Sequence, residues 1–289
     1  MRGSYGLIDP GELGRLADSV HPPGWNTGPM TELNGEPAGI RELTALAMTN
    51  YGHFTTMRVE DGRVRGLSLH LDRLVRDCGV LFGTDPDRDR IRELARRAVA
   101  DTTGPLTVRV TVYDPDLGLE RPGAEATPRI LVTTRPAAAP SPPPLSVRTA
   151  PHRRDLPEVK HVGLFGLLRL RRLAQLDGYD DALLTDERGA VSEGATWNVG
   201  FFDGDRLLWP DAACLPGVTR ELLRRAHGGP QHTERIDRDR LGELRAAFAL
   251  NAGVGVRPIR SIDGVEFDPA HPVLDALREE YAATDAEPL

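Results

Sequence analysis

Residues 135–151 contain six prolines, with Ser and Ala between most of them. A prolyl ring fixes φ and removes an N–H, so such a stretch cannot serve as a helix interior or as the middle of a sheet. Its composition favours an extended connector. Whatever this chain folds into must be assembled from the residues on either side. The sequence therefore predicts a small N-terminal α/β domain over residues 30–135, a Pro-rich linker over 136–151, and a C-terminal domain over 152–289. Residues 1–29 are rich in Gly and Pro and read as a flexible arm or a vector-derived leader outside the fold.

Periodicity fills in both parts. Phe54 to Val59 alternates apolar and polar residues and runs into Asp61-Gly62, a hairpin signal. Leu67 to Leu81 carries Leu69, Leu71, Leu74, Val75 and Leu81 at helical spacing, and Asp85 to Asp101 reads as a second amphipathic helix with Ile91, Leu94, Ala95 and Ala98 on one stripe. Leu106–Tyr113 and Pro128–Thr134 read as strands. The second part opens with Lys160 and a helix from Gly163 to Leu176, stopped by Asp177-Gly178. Short strands follow at Asp181–Thr185, Ala190–Glu193, Asn198–Phe202 and Arg206–Trp209. A helix spans Val218–Ala226, Leu241–Leu250 passes from helix to strand, Val256–Ile262 is a strand, and Leu274–Ala283 is a terminal helix. The fold class expected is mixed α/β, with more strands than a doubly wound sheet of this length would carry.

Composition removes several functions. A net charge of −7 argues against a nucleic-acid groove and gives no pull toward an anionic membrane. No apolar run approaches ~18 residues, and the N-terminus lacks a charged segment followed by an apolar one. Two cysteines, Cys78 and Cys214, are too few for a disulfide framework, which fits a reducing compartment and a cytoplasmic protein. No metal site is expected.

The most informative count is lysine. Of 36 basic residues only Lys160 is a lysine, and 35 are arginines. Arg replaces Lys readily on a surface, but a guanidinium does not deprotonate and cannot attack a carbonyl. One lysine in so arginine-biased a chain is either a chance surface residue or a nucleophile. Its surroundings favour the nucleophile. A pyridoxal-phosphate site needs an amine to form an imine, a carboxylate against the pyridine nitrogen, and a phosphate cup. Glu193 in Val191-Ser192-Glu193-Gly194 is a candidate carboxylate, although alone it reads as a solvated turn residue. Pro216-Gly217-Val218-Thr219 opens a helix, whose free N–H groups and Thr219 hydroxyl suit a phosphate dianion or make an ordinary helix start.

The run Lys160…Glu193-Gly194…Asn198…Pro216-Gly217-Val218-Thr219-Arg220 resembles the class IV aminotransferases, the fold-type IV pyridoxal-phosphate enzymes. The resemblance covers about residues 31–265. His70-Leu71-Asp72-Arg73-Leu74 looks like that family's His-x-x-Arg-Leu element, which implies that Arg73 binds the cofactor phosphate. No chemical role is assigned to His70. The resemblance further implies that Lys160 forms the Schiff base with pyridoxal 5'-phosphate and moves the proton at the substrate Cα. Glu193 would hold the pyridinium, and Arg73, Gly217, Val218 and Thr219 the phosphate. It implies two domains, a barrel-like sheet in the second, and a homodimer acting on a small-molecule amino substrate.

Within the family the sequence is closest to the aminodeoxychorismate lyase branch. Phe54 to Val59 with its hairpin, the Lys160-His161 pair, and Asn251-Ala252 at the cofactor end carry that likeness. It implies a β-elimination giving 4-aminobenzoate and pyruvate. The alternative is an aminotransferase acting on branched-chain or other amino acids and 2-oxo acids. An alternative of another class is a cofactor-free binding relative. The sequence departs from the family pattern at Gly163, often Asn in the lyases, and at Leu164 and Phe165, where branched-chain enzymes place a tyrosine near the ring hydroxyl. It departs again near Asp114, where D-amino-acid aminotransferases have a substrate-binding arginine.

Overall fold

The computed structural model describes residues 31–138 and 141–289. The arm expected over 1–29 lies outside the described residues. The first part comprises β1 (Thr31–Leu33), β2 (Glu36–Pro37), α1 (Ile40–Thr49), β3 (His53–Val59), β4 (Arg63–Arg65), α2 (Leu67–Phe82), α3 (Arg88–Arg97), β5 (Leu106–Tyr113) and β6 (Arg129–Pro136). The second comprises β7 (Leu145–Pro151), α4 (Phe165–Leu176), β8 (Asp181–Thr185), β9 (Val191–Gly194), β10 (Asn198–Phe202), β11 (Leu207–Pro210), α5 (Val218–Ala226) and β12 (Gln231–Glu234). A 3-10 turn at Arg238–Glu243 then leads to β13 (Ala246–Asn251), β14 (Gly255–Ile262), β15 (Val265–Glu266), α6 (Pro272–Ala282) and β16 (Ala286–Pro288).

The first sheet is antiparallel, in the order β2-β1-β6-β5-β3. Helices α2 and α3 cover one face and bury Leu71, Leu74, Ile91 and Leu94 against Met57, Val108 and Val110. Each such side chain contributes about 1.5–3 kcal/mol on leaving water. Helix α3 is shorter than the expected Asp85–Asp101. The Asp87 carboxylate accepts from the N–H groups of Asp89 and Arg90 and so starts the helix late.

The second sheet runs β12-β11-β10-β13-β14-β7-β8-β9, and β9 also pairs with β10. That extra pairing closes a six-stranded ring, β10-β13-β14-β7-β8-β9, with β11 and β12 as an extension. Closure occurs at one registered pair, Glu193 opposite Asn198. Alternate side chains of the ring strands, among them Val147, Leu183, Phe201 and Ile259, share one buried cluster. Helices α5 and α6 pack outside, where Leu223 and Leu277 meet Trp209 and Phe248.

Two expectations about the chain's organisation change. Part of the stretch read as linker is sheet: Leu145–Pro151 lies parallel to both β8 and β14. Leu145 and Val147 alternate into the core, and the prolines flank them at 142–144 and 151 rather than interrupting them. The end of the chain returns to the first part, where β16 pairs with β4 and Leu289 is buried in the first core. One helix, α1, was not anticipated, and none of its residues is buried. Truncation of Phe248, fully buried and edge-on to Trp209 at 5.8 Å between ring centroids, is expected to cost about 3–5 kcal/mol. The exposed Leu119→Ala should stay within about 0.5 kcal/mol, and denaturant unfolding of the two variants checks the contrast.

Candidate active site

A cavity of about 370 Å³ lies where the first sheet meets the open end of the ring. All eight residues singled out from the sequence line it: Arg73, Lys160, Glu193, Gly217, Val218, Thr219, Asn251 and Ala252. They arrive from α2, the segment after β7, β9, the start of α5 and the β13–β14 turn.

Lys160 precedes α4 and is fixed by its backbone. Its N–H donates to Asp77 Oδ2 (2.9 Å) and its carbonyl accepts from Phe54 N–H (2.9 Å). Asp77 is buried and is also held by Arg76, whose Nη2 donates to it (2.6 Å) and to the Glu158 carbonyl (2.8 Å). The Nζ of Lys160 stands 4.8 Å from the centre of the Phe54 ring. Burial, with the charges of Arg73 and Arg154, pulls its pKa down to about 7, against the opposing pull of Glu193. A large neutral fraction at neutral pH is what a carbonyl-directed amine needs.

Glu193 is 4% exposed. Its Oε1 accepts from Arg154 Nη1 (3.2 Å) and its Oε2 from the N–H of Leu215 (3.2 Å). Burial raises its pKa, and Arg154 and the Leu215 N–H work against that rise. Arg154 also donates to the carbonyl of Val159, the residue before Lys160. Asn198, opposite Glu193, donates to the carbonyl of Leu215 (2.8 Å). Gly217 comes so close that a Cβ would stand 1.9 Å from Asn198 Oδ1, so only glycine allows α5 to begin here.

Among the described residues, buried polar atoms on the α2 and α5 side are left without protein partners, including atoms of Arg73, His70 and Thr219. Arg73 is 6% exposed and donates through Nη2 to Thr55 Oγ1, while its Nε has no partner. With Thr55 accepting from Arg73, its hydroxyl proton is left for His70 Nδ1, 2.7 Å away. The His70 proton then sits on Nε2, a buried atom with no partner. Burial and the Arg73 charge hold the His70 pKa well below its ordinary value, which keeps the ring neutral. The Thr219 hydroxyl, near the Tyr281 phenol, closes no well-formed hydrogen bond. Unpaired buried donors are expensive. Arg73, His70 and Thr219, with the first turn of α5, make a donor set for a multivalent oxyanion.

This arrangement fits pyridoxal 5'-phosphate: a neutral buried amine, a buried carboxylate, and an orphaned donor set for phosphate on one cavity. The ring-hydroxyl position is less well provided. Leu164 lines the cavity with no polar atom, and Phe165 is 79% exposed. Asn251 also does less than its placement suggests. Its Oδ1 accepts from the N–H groups of Gly253 and Val254, both at 3.0 Å, and so shapes its own turn.

Sequence reasoning missed several site residues. Thr55, Asp77 and Arg154 act through tertiary contacts that no local pattern marks. Arg109 on β5 stacks on Phe54, guanidinium carbon 3.7 Å from the ring centre. Burial first, then Arg135, lowers its pKa. Both arginines line the cavity, and among the described residues neither forms an ion pair with a carboxylate.

A family model described as amino-transferase class IV matches residues 52–262. A probable branched-chain-amino-acid aminotransferase of Rickettsia bellii is 34% identical over 113 residues, which span 36% of this chain and 38% of the relative's length. Among solved structures, a branched-chain aminotransferase of Thermoproteus uzoniensis with norvaline superposes with a TM-score of 0.79 at 21% identity, covering 88% of this chain and 94% of its own. A hypothetical aminotransferase of Mycobacterium tuberculosis in its PLP-bound form gives 0.75 at 22% identity, covering 89% and 98%. At such identities the structural likeness is one of fold.

The cofactor-free protein offers a direct test of the Lys160 environment, because no other side-chain amine competes for an amine reagent. Labelling of Lys160 is expected to reach half its maximal rate near pH 7 and to shift to higher pH in Arg73→Leu, since Arg73 lowers that pKa. A midpoint near the ordinary lysine value of about 10.4 contradicts the assignment.

Proposed function

The chain belongs to the class IV amino-transferase family, and from that premise we propose that it is a pyridoxal-phosphate-dependent aminotransferase exchanging amino and oxo groups between an amino acid and a 2-oxo acid. The observation that carries this reading is the cavity that brings together Lys160 with its lowered pKa, buried Glu193 and the donors of Arg73, His70 and Thr219. The relatives named branched-chain aminotransferases support transamination over the lyase chemistry that the sequence places first.

Bound in this cavity, the cofactor supplies an aldehyde that condenses with amines and a ring that accepts the electron pair released at the substrate Cα. The chain's own residues do the rest. Arg73 and Thr219, with the Val218 N–H at the start of α5 and the orphaned His70 Nε2–H, bind the phosphate. Glu193 would hold the ring nitrogen protonated, with Arg154 holding the carboxylate in place. Lys160 Nζ would anchor the cofactor and would serve as the base that moves the proton at the substrate Cα. Leu164, Leu167 and Trp197 exclude water from that side of the cavity. At the first-sheet wall, Arg109 and Arg135 receive a substrate carboxylate, a guanidinium fork being suited to that group.

A homodimer belongs to the same reading. Helix α1 buries none of its residues and exposes Ile40 and Met48. Its C-cap Asn50 lies beside Gly163, next to exposed Phe165. A second copy would cover these exposed apolar side chains. The two free cysteines accord with a reducing, cytoplasmic setting.

A second reading, β-elimination on an aminodeoxychorismate-type substrate, is favoured by the Lys160-His161 pair and the Asn251-Ala252 turn. The two differ in what they consume. Loaded enzyme given branched-chain amino acids should form the corresponding 2-oxo acids beyond one equivalent per site only when an acceptor 2-oxo acid is present. Pyruvate and 4-aminobenzoate released from aminodeoxychorismate without an acceptor select the lyase. Under either reading Arg109→Leu should raise KM about tenfold or more, the value of a lost charge-assisted hydrogen bond, and leave cofactor binding at its wild-type level.

A further inference from the structure

Glu193 sits at the edge of a turn that is held from behind. Residues 194–197 fold β9 back onto β10, with the Gly194 N–H donating to the Trp197 carbonyl (2.8 Å). The Trp197 indole lies against Gly194 so closely that a Cβ there would stand 1.9 Å from its Cε2. The position of the indole therefore fixes the backbone of the residue that follows Glu193. Its ring N–H donates to Asp181 Oδ2 (2.8 Å). Asp181, at the start of β8, is 5% exposed. It also accepts from Arg171 Nε (3.0 Å), Arg171 Nη2 (2.7 Å) and the N–H of Ala182 (2.7 Å). Arg171, from α4, reaches on to Thr196 Oγ1 (2.6 Å) in the same turn. One carboxylate thus ties α4, β8 and the turn together, and it lies behind the cavity wall, facing an outer cleft with Gln175 and Arg257.

We propose that Asp181 is a positioning residue for Glu193, acting through Trp197 and Arg171 to set where the Glu193 carboxylate meets the ring nitrogen of the bound cofactor. The inference rests on the assignment of Glu193 to that nitrogen. Asp181 itself touches neither cofactor nor substrate. The carboxylate is suited to the task because it accepts a planar two-pronged guanidinium and an indole N–H at once. An amide in its place turns a donor toward Arg171 or the indole N–H and leaves one of these groups without its acceptor. With the indole unanchored, the Gly194 backbone and the Glu193 carboxylate before it lose their fixed position.

The test uses Asp181→Asn and Trp197→Phe, the second keeping a smaller aromatic ring near Gly194 while deleting the indole N–H that reaches Asp181. Equilibrium dialysis gives Kd for pyridoxal phosphate, a pH titration of the bound cofactor's absorption reports its protonation, which a carboxylate at the ring nitrogen shifts, and competition by inorganic phosphate reports the phosphate cup. Both variants are expected to raise Kd about tenfold and to move the titration midpoint in the direction that Glu193→Gln moves it, with the affinity for inorganic phosphate unchanged. Wild-type Kd and midpoint in Trp197→Phe, alongside altered values in Glu193→Gln, overturn the proposal even where Asp181→Asn fails to fold. A Glu193→Gln variant that leaves both readouts unchanged instead removes the ring-nitrogen assignment, and the role of Asp181 falls with it.

Discussion

The pairing of Glu193 with Asn198 is the contact on which the rest of the site depends. It closes the six-stranded ring, so the carboxylate proposed to face the cofactor is also part of the seam of the barrel. Closing the seam requires a tight return between β9 and β10, which Gly194 permits by admitting the Trp197 indole. Asn198 then holds the carbonyl of Leu215, whose N–H is directed at Glu193. That loop delivers Gly217 and the start of α5 to the cavity. Barrel closure, carboxylate placement and the oxyanion-binding end of α5 form one connected unit.

The electrostatics follow from burying that unit among cations. Arg73, Arg109, Arg135, Arg154 and Lys160 line the cavity with Glu193. Among so many positive charges, the group that can lose its charge is the amine. Burial first, and then the guanidiniums that stay charged, lower the Lys160 pKa to about 7. An excess of positive charge in a cleft favours substrates and a cofactor that carry carboxylates and phosphates. The charges that favour anionic ligands are also among those that lower the Lys160 pKa.

Much of this was legible in the sequence. Asp181–Thr185, Asn198–Phe202 and Val218–Ala226 form as expected, because turn residues bound each of them and their side chains follow the period of the element. Lys160 stood out as the one lysine among 36 basic residues, although the count alone allows a chance surface residue, and Glu193 and Thr219 stood out by their order and spacing after it. Other residues had no such mark. Arg154 is one of 35 arginines, and only the fold brings it to Glu193. Asp77 and Thr55 are ordinary polar residues until α2 packs on β3. Strand β7 was hidden by neighbouring prolines, and β16 is too short to show a period. Helix α1 lacks a buried stripe, so a core-facing pattern does not single it out.

The central claim is that Lys160 is the amine that holds the cofactor. The most direct measurement is borohydride reduction of the protein after incubation with pyridoxal phosphate, followed by mass analysis of its peptides. One phosphopyridoxyl group on the peptide containing Lys160, and none when Lys160→Ala is treated in the same way, is the result the account predicts. An unmodified Lys160 peptide under conditions that saturate a cofactor site contradicts it.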